Sequence, residues 1–351
     1  MWRGSDWFRW VKGGMVAVRP PGSESAIPVA PNASVRGLEW QRYGAIVRKE
    51  MADHFRSRRF LILFLLVALT SLASLYVAAR SIRTAAGLQG VGDYVFLLLF
   101  TASDGSLPPF ISFLSFLGPL VGLALGFDAI NGERSRGTLS RVLAQPIHRD
   151  QLINGKFMAA ILTVGIMLMS LGFVVMGLGL SLIGVPPGME EFLRILLFLV
   201  ASVLYVSFWL SLSILFSILF RQAATSALAG IAVWLFFSIF FSLLVGLAAD
   251  ALIPVSDPQT EEALRNQQLQ TILLRFSPSQ LYDEMTLTLL VPTVRTLGPV
   301  LIEQAQGAIP GYLPLGQSLL LVWPHWVGML AATLLCFAIS YVLFMKQEIR
   351  A

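Results

Sequence analysis

Six long apolar runs alternate with polar stretches along this chain of 351 residues. They lie at about 60–79, 110–127, 157–183, 193–220, 226–249 and 326–345. An α-helix rises about 1.5 Å per residue and needs roughly 20 apolar residues to cross a bilayer core of about 30 Å. Each run is near or above that length, and the third is long enough to predict tilt or projection. Tyr94–Phe100 is too short to cross and reads as a surface or re-entrant piece, and Met285–Val291 and Leu319–Trp323 are shorter apolar pieces within the segment 250–325. Within the second run Gly118, Gly122 and Gly126 recur four apart on one helical face, a spacing that admits close helix–helix approach.

Composition sharpens this picture. Hydrophobic residues make up 56% of the chain and charged residues 13%, against about a quarter charged in a soluble domain. The reading is therefore an all-α integral membrane protein with six transmembrane helices, its membrane domain spanning 60–345. Residues 1–35 read as a disordered tail, and 346–351 as a short closing segment.

The polar stretches have patterns of their own. Residues 36–59 carry Leu38, Trp40, Tyr43, Ile46, Val47, Met51 and Phe55 at helical spacing, with Arg42, Arg48, Lys49, Glu50, Arg56, Arg58 and Arg59 between them. Such a helix lies in the membrane interface, apolar stripe in the acyl region and basic groups near headgroups. It is either a basic anchor or an elbow helix that also touches a partner. Its candidate contact residues are Trp40, Arg48, Glu50, Phe55, Arg58 and Arg59.

The stretch 128–156 is the longest polar interruption in the middle of the chain. Gly137-Thr138-Leu139 opens a short run in which Leu139, Val142 and Leu143 share one face. Pro146 stops it, because proline lacks the N–H and disfavours helix in the residue before it. Asp150 is placed to cap the helix that carries Lys156 into the third span. The pattern predicts a short amphipathic helix, a break and a new helix start, suited to docking a soluble partner through the apolar face with Arg136, Arg141 and Arg149 at its rim. Glu133 sits near the start of this element, where it either favours the helix dipole or pairs with Arg58 or Arg59.

Charge placement sets the orientation. Basic residues gather at 36–59, at 134–156, at Arg221 and at the C-terminus. With six spans these all fall on one side, which the positive-inside tendency makes cytoplasmic. Both termini are then inside. The acidic segment 250–325 lies outside, with Trp323 and Trp326 as interfacial anchors and His325 as an interfacial histidine. The net charge of +5 is thereby spent at span ends, so no nucleic-acid partner is expected.

The chemistry is defined largely by absences. No Asp, Glu, Lys or Arg lies in the middle of a run, where ion-coupled carriers hold their coupling groups. Asp128 and Asp250 sit at run ends, where interfacial solvation suffices. No H-E-x-x-H or G-x-S-x-G occurs, and Gly155-Lys156 lacks the glycine and the Ser/Thr of a P-loop. Cys336 is the only cysteine. No catalytic set, resident cofactor or metal centre is expected. What remains is a membrane subunit that draws energy through its cytoplasmic surface, or else a scaffold or receptor whose outer segment binds a ligand. An intramembrane enzyme is the weakest class, for want of a nucleophile–base set.

Glu133, the Gly137-Thr138-Leu139 run, Leu143, Pro146, Arg149 and Gly155-Lys156 resemble the signature of type-2 ABC exporter permeases, a likeness that extends over about 37–350. Within that family the nearest likeness is to the permeases associated with copper-enzyme maturation, through Ser277-Pro278-Ser279-Gln280-Leu281-Tyr282. The resemblance implies an elbow helix at 36–59 and a coupling helix in the 128–156 loop, seated in a cleft of a separate ATPase subunit. Glu133, Arg136, Gly137, Thr138, Leu139, Val142, Leu143, Pro146, Arg149 and Lys156 would form that docking surface. The resemblance further implies external helices between spans five and six, two ATPase subunits per complex that carry the ATP and Mg, and a second permease chain, identical or different. It places the protein in the cytoplasmic membrane.

Overall fold

The structure, a computed structural model, describes residues 33–86, 94–138, 148–255, 261–298 and 311–347. All regular elements among them are helical. Six helices are long and apolar enough to cross a membrane: Arg58–Thr84, Phe110–Ser135, Arg149–Ile183, Met189–Leu219, Ala223–Leu252 and Leu315–Lys346. Helix α1 (Ala33–Arg56) precedes them. The chain divides into two units after Arg42, and the bundle is built from Tyr43 onward. In the first unit residues 33–42 are described, and they are helical. Most of the tail expected at 1–35 lies outside the described residues.

Helix α2 (Arg58–Ala86) runs further than its apolar stretch, through Arg80 and Arg83. Charge does not stop it, because Arg83 reaches the end of the third spanning helix, α6 (Arg149–Ile183), and donates from Nη2 to the Leu182 carbonyl at 2.7 Å. That carbonyl is among the last four of α6, which have no partner within their own helix. The short apolar piece after α2 forms a 3-10 turn, Val95–Leu97, and a single helical turn, α3 (Leu98–Thr101). Phe96, Leu97, Leu99 and Phe100 are all buried, so this piece belongs to the core. The Phe100 ring meets Phe110 and Phe198 edge-on.

The bundle is organised around α7 (Met189–Leu219), the fourth spanning helix. It packs against α4 (Phe110–Gly126), α6 and the last helix, α12 (Leu315–Lys346), and 67% of its apolar window is buried. For Ala223–Leu252 the share is only 17%, so this span lies at the periphery. It consists of α8 (Ala223–Leu235), a π-helical turn at Phe236–Phe240 and α9 (Phe241–Leu252).

Three glycines set the α4–α7 distance. A Cβ on Gly118 would meet the Tyr205 ring at 3.1 Å. On Gly122 it would lie 2.7 Å from the Val206 carbonyl oxygen, and on Gly126 2.7 Å from the Ser213 Cβ. Backbone cannot yield as a side-chain tip can, so Gly122 is the strictest of the three. Proline contributes to the same contact. Pro119 has no N–H to offer the carbonyl four residues back, that of Ser115. The Tyr205 hydroxyl takes its place, donating to Ser115 O at 3.0 Å.

Beyond the fifth span the chain forms α10 (Glu261–Leu274) and α11 (Pro278–Leu290). Helix α11 packs into the bundle against α7 and α12, and its Tyr282 stacks on Tyr205 with ring centroids 4.3 Å apart. The last helix begins at Leu315 rather than near 326, passing through Pro324. Proline is tolerated inside membrane helices because neighbouring groups re-satisfy the freed carbonyl. This moves His325 from an expected interfacial site into the bundle: it is 4% exposed, with Nε2 2.6 Å from Glu284 Oε2. The piece at Leu319–Trp323 is correspondingly part of the spanning helix.

Arg194, one turn into α7, is wholly buried and joins the elements at its end of the bundle. It donates to the carbonyls of Leu289 (2.9 Å) and Leu313, to Ser318 Oγ (3.2 Å) and to Glu190 Oε1 (2.9 Å). Glu191 closes the start of α7, accepting from the Gly188 and Phe96 N–H groups at 2.7 and 2.9 Å.

Gly122→Ala should cost about 1–3 kcal/mol by forcing α4 and α7 apart. Gly165 in α6 has nothing within 4 Å of an added Cβ. Gly165→Ala should therefore be neutral or stabilise by up to about 1 kcal/mol through helix propensity. Thermal unfolding in detergent compares them, and identical midpoints would contradict the close α4–α7 contact.

Candidate functional site

The polar stretch after α4 folds locally before it leaves the described residues. Asp128 follows α4, and a short helix, α5 (Asn131–Ser135), comes next. Ser217 near the end of α7 accepts from the N–H groups of Ile130 and Asn131 at 3.0 and 3.2 Å, which fixes the start of α5. At its far end the Glu133 carbonyl accepts from the Thr138 N–H at 3.0 Å, and Gly137 takes the left-handed conformation, φ +64°. Leu139, Arg141, Val142, Leu143 and Pro146 lie outside the described residues. The chain is described again from His148 at the start of α6.

Three charged side chains meet beside this loop. Lys156 Nζ on α6 donates to Glu133 Oε1 on α5 at 2.7 Å and to Glu50 Oε2 on α1 at 2.9 Å. All three residues are 7% exposed, so the pairs are desolvated and weakly screened. Lys49 adds a second cation on Glu50 at 2.9 Å and reaches Asp53 at 3.2 Å. Burial pushes the Glu50 carboxyl up, but Lys156 and Lys49 outweigh it and hold it below its ordinary value. Burial holds the nearby His54 below its ordinary value, and the Lys156 charge acts in the same direction.

Helix α1 is seated on α6 along one face. The Tyr43 hydroxyl lies 3.4 Å from the Asn154 carbonyl, Ile46 fills the space that a Cβ on Gly155 would occupy, and Glu50 pairs with Lys156. Positions 43, 46 and 50 follow helical spacing and meet three consecutive residues of α6. A second pair closes the other side of the site. Arg59 at the start of α2 binds Asp128 and lies over the Phe127 ring at 4.9 Å. The pairing expected between Glu133 and Arg58 or Arg59 is therefore not the one formed. Asp128 is adjacent to the α1–α2 junction and takes Arg59, leaving Glu133 to Lys156. Asp128 is thus ion-paired rather than merely solvated.

The loop is also held on its return side. Arg149 Nη1 donates to the Gln347 carbonyl at 3.0 Å, and the Gln347 side chain donates to Ile218 O at 2.9 Å. Both flanks of residues 139–147 are thereby tied to the bundle. A cavity of about 640 Å³ opens between α1, α4, α5 and α6, lined by Glu50, His54, Arg59, Asp128, Glu133 and Lys156 among others. Glu133 Oε2 is buried and accepts no hydrogen bond from the described residues. No group of three metal-ligating side chains occurs among the described residues.

Fixed charges thus join α5 to α6 and α1. Residues 44–349 match the family described as ABC-2 family transporter protein. The chain belongs to this family.

Two curated relatives are similar over part of its length. The probable ABC transporter permease protein NosY of Stutzerimonas stutzeri is 28% identical over 244 residues, 69% of this chain and 80% of that relative. The protein of the same name from Pseudomonas aeruginosa is 39% identical over 113 residues, 32% of this chain and 36% of that relative.

In this ABC-2 family chain, Glu133 and Lys156 are brought together with Glu50, while Arg149 is drawn to the C-terminal end of α12. Arg48, Phe55, Arg58, Arg59 and Arg136 are exposed, as is Trp40 in the first unit. Sequence reasoning did not single out Asp128, Arg194 or the Glu284–His325 pair as structural partners. Arg194 carried one signal, a cation one turn inside an apolar run directly after Glu190 and Glu191.

Lys156→Met would leave the buried Glu133 carboxylate without a cation and Glu50 with Lys49 alone, and should cost about 3–5 kcal/mol. Adding Glu50→Gln and Glu133→Gln should recover most of that loss, because the uncompensated charge disappears. Unfolding midpoints in detergent test both, and a stable single variant would show that the triad carries no strain-free charge balance.

Proposed function

We propose that this chain is the permease subunit of an ATP-driven transporter, with residues 139–147 docked on a separate ATPase subunit. The observation that carries the reading is Lys156, which ties the near flank of that loop to the far flank and to α1. A push on the loop then moves α5, α6 and α1 together instead of being absorbed locally. Leu139, Val142 and Leu143 present the apolar face to the partner, and Arg136 and Arg149 supply charge at its margin. ATP and Mg belong to the ATPase, two copies per complex, and a second permease chain completes the path. Helix α1 acts as the elbow, lying in the cytoplasmic interface with both termini on that side. Substrate leaves the cell, as in exporters of this family. The permease names of the two relatives support this assignment.

The test is retention of the ATPase by the chain in lipid nanodiscs. Wild type should retain it in stoichiometric amount, and a Leu139→Asp, Leu143→Asp double change should release it while the helical content stays native. Retention by both forms removes the docking role from this loop. Absence of any bound ATPase in wild type favours a scaffold or receptor.

A further inference from the structure

A second cavity, of about 460 Å³, lies at the other end of the bundle from Lys156. Its walls come from the first turns of α4, from the π-helical turn of the fifth span and from α11. Polar groups are concentrated on it: Ser112 and Ser115 of α4, Ser238 of the π-turn, and Gln280, Asp283 and Glu284 of α11. A π-turn shifts the register of a helix and is often found at functional sites. Here it sets Ser238 midway along Ala223–Leu252, facing the acidic side of α11.

The two carboxylates differ. Glu284 is engaged by Arg275 at 3.0 Å, by Gln280 at 2.9 Å and by His325 at 2.6 Å. Asp283 has no ion-pair partner among the described residues, and its side chain opens into the cavity. Ser112 and Ser238 make no side-chain hydrogen bond among the described residues. Apolar walls complete the site: Ile111, Leu287 and the half-exposed ring of Phe116, which is held edge-on by Trp234. The cavity is of a size that holds a small molecule. Asp283 is exposed at the cavity, so a cation entering it meets the carboxylate directly.

We propose that this cavity binds a small organic ammonium ion bearing an apolar arm. Asp283 takes the charge, the serine hydroxyls accept its N–H groups, and the Phe116 face and Leu287 cover the hydrocarbon. Glu284, already paired, holds the local potential negative without being the primary partner. The cavity shares Gln280, Glu284 and Leu287 with a neighbouring one of about 390 Å³ that opens between α10 and α11, which gives the ion a route past Glu284. That the bound ammonium is transported cargo rests on the permease function proposed above. The binding site itself does not.

The test uses the full chain in nanodiscs, with Cys336→Ser and a reporter cysteine at Ser112→Cys. Trimethylammonium-ethyl and sulfonato-ethyl methanethiosulfonate are compared, each rate normalised to its reaction with a free thiol. The cationic reagent should react at least about tenfold faster. Hexylamine, protonated at pH 7, should slow it, and hexanoate should not. Asp283→Asn should bring the rate ratio towards one and abolish the protection. A Ser238→Cys reporter in the Cys336→Ser chain gives the same comparison without Asp283→Asn. Equal rates for the two reagents at both reporters, or equal effects of hexylamine and hexanoate, overturn the proposal. No ATPase takes part, so loss of ATPase docking leaves this result intact and the converse also holds.

Discussion

The ammonium of Lys156, buried between Glu50 and Glu133, is the contact on which the organisation of the loop side depends. Its cost is set by desolvation: three charged groups have left water, and their mutual pairing, with Lys49 as a further cation on Glu50, offsets it. Removing one partner exposes the full penalty on the others, so the three behave as one unit. They sit on three separate elements, α1, α5 and α6, which have no covalent reason to stay together. The Arg59–Asp128 pair and the Arg149–Gln347 contact extend the same logic to α2 and to the end of α12. Both flanks of residues 139–147 are thereby tied to helices of the bundle, which is the arrangement the proposed docking role calls for.

The rest of the bundle is held by contacts of its own. Helix α7 is close-packed on α4 at Gly122, which faces the Val206 carbonyl and the Leu210 N–H, and at Gly126, which faces Ser213 Cβ and the Leu210 carbonyl. At its far end Arg194 joins the α11 and α12 regions and Glu190 through five-donor geometry that lysine lacks. By contrast Ala223–Leu252 is mostly uncovered, carries a π-turn and borders the Asp283 cavity. Well-covered and poorly covered helices therefore occur within one bundle.

Much of this was legible in the sequence because the bilayer imposes a simple rule. Apolar runs of sufficient length must be helices, and six helices of spanning length are present. The glycine spacing in α4 announced a close approach, though only the structure names its partner, α7. The rule fails where contacts are distant in sequence. Lys156 was readable as a loop-flanking cation, but Glu50 lies 106 residues before it, and nothing local pairs them. Glu133 had two plausible arginines near one helix end, and Asp128 took one of them first. His325 looked interfacial because it lies just outside the sixth apolar run, drawn from 326. A membrane helix carries Pro324, so the span begins earlier and buries the histidine against Glu284. The apolar piece at Tyr94–Phe100 was too short to cross, yet it is part of the core, because aromatic partners on α4 and α7 enclose it.

The most direct test of the charge-tied unit is a distance across it during the ATPase cycle. Spin labels at Asp53→Cys on α1 and Ser135→Cys on α5, with Cys336→Ser, report the α1–α5 separation by electron double resonance. The account predicts one narrow distance distribution that is the same in the nucleotide-free and vanadate-trapped complexes. A distribution that shifts or broadens on trapping would contradict it, showing that the loop and α1 move apart rather than together.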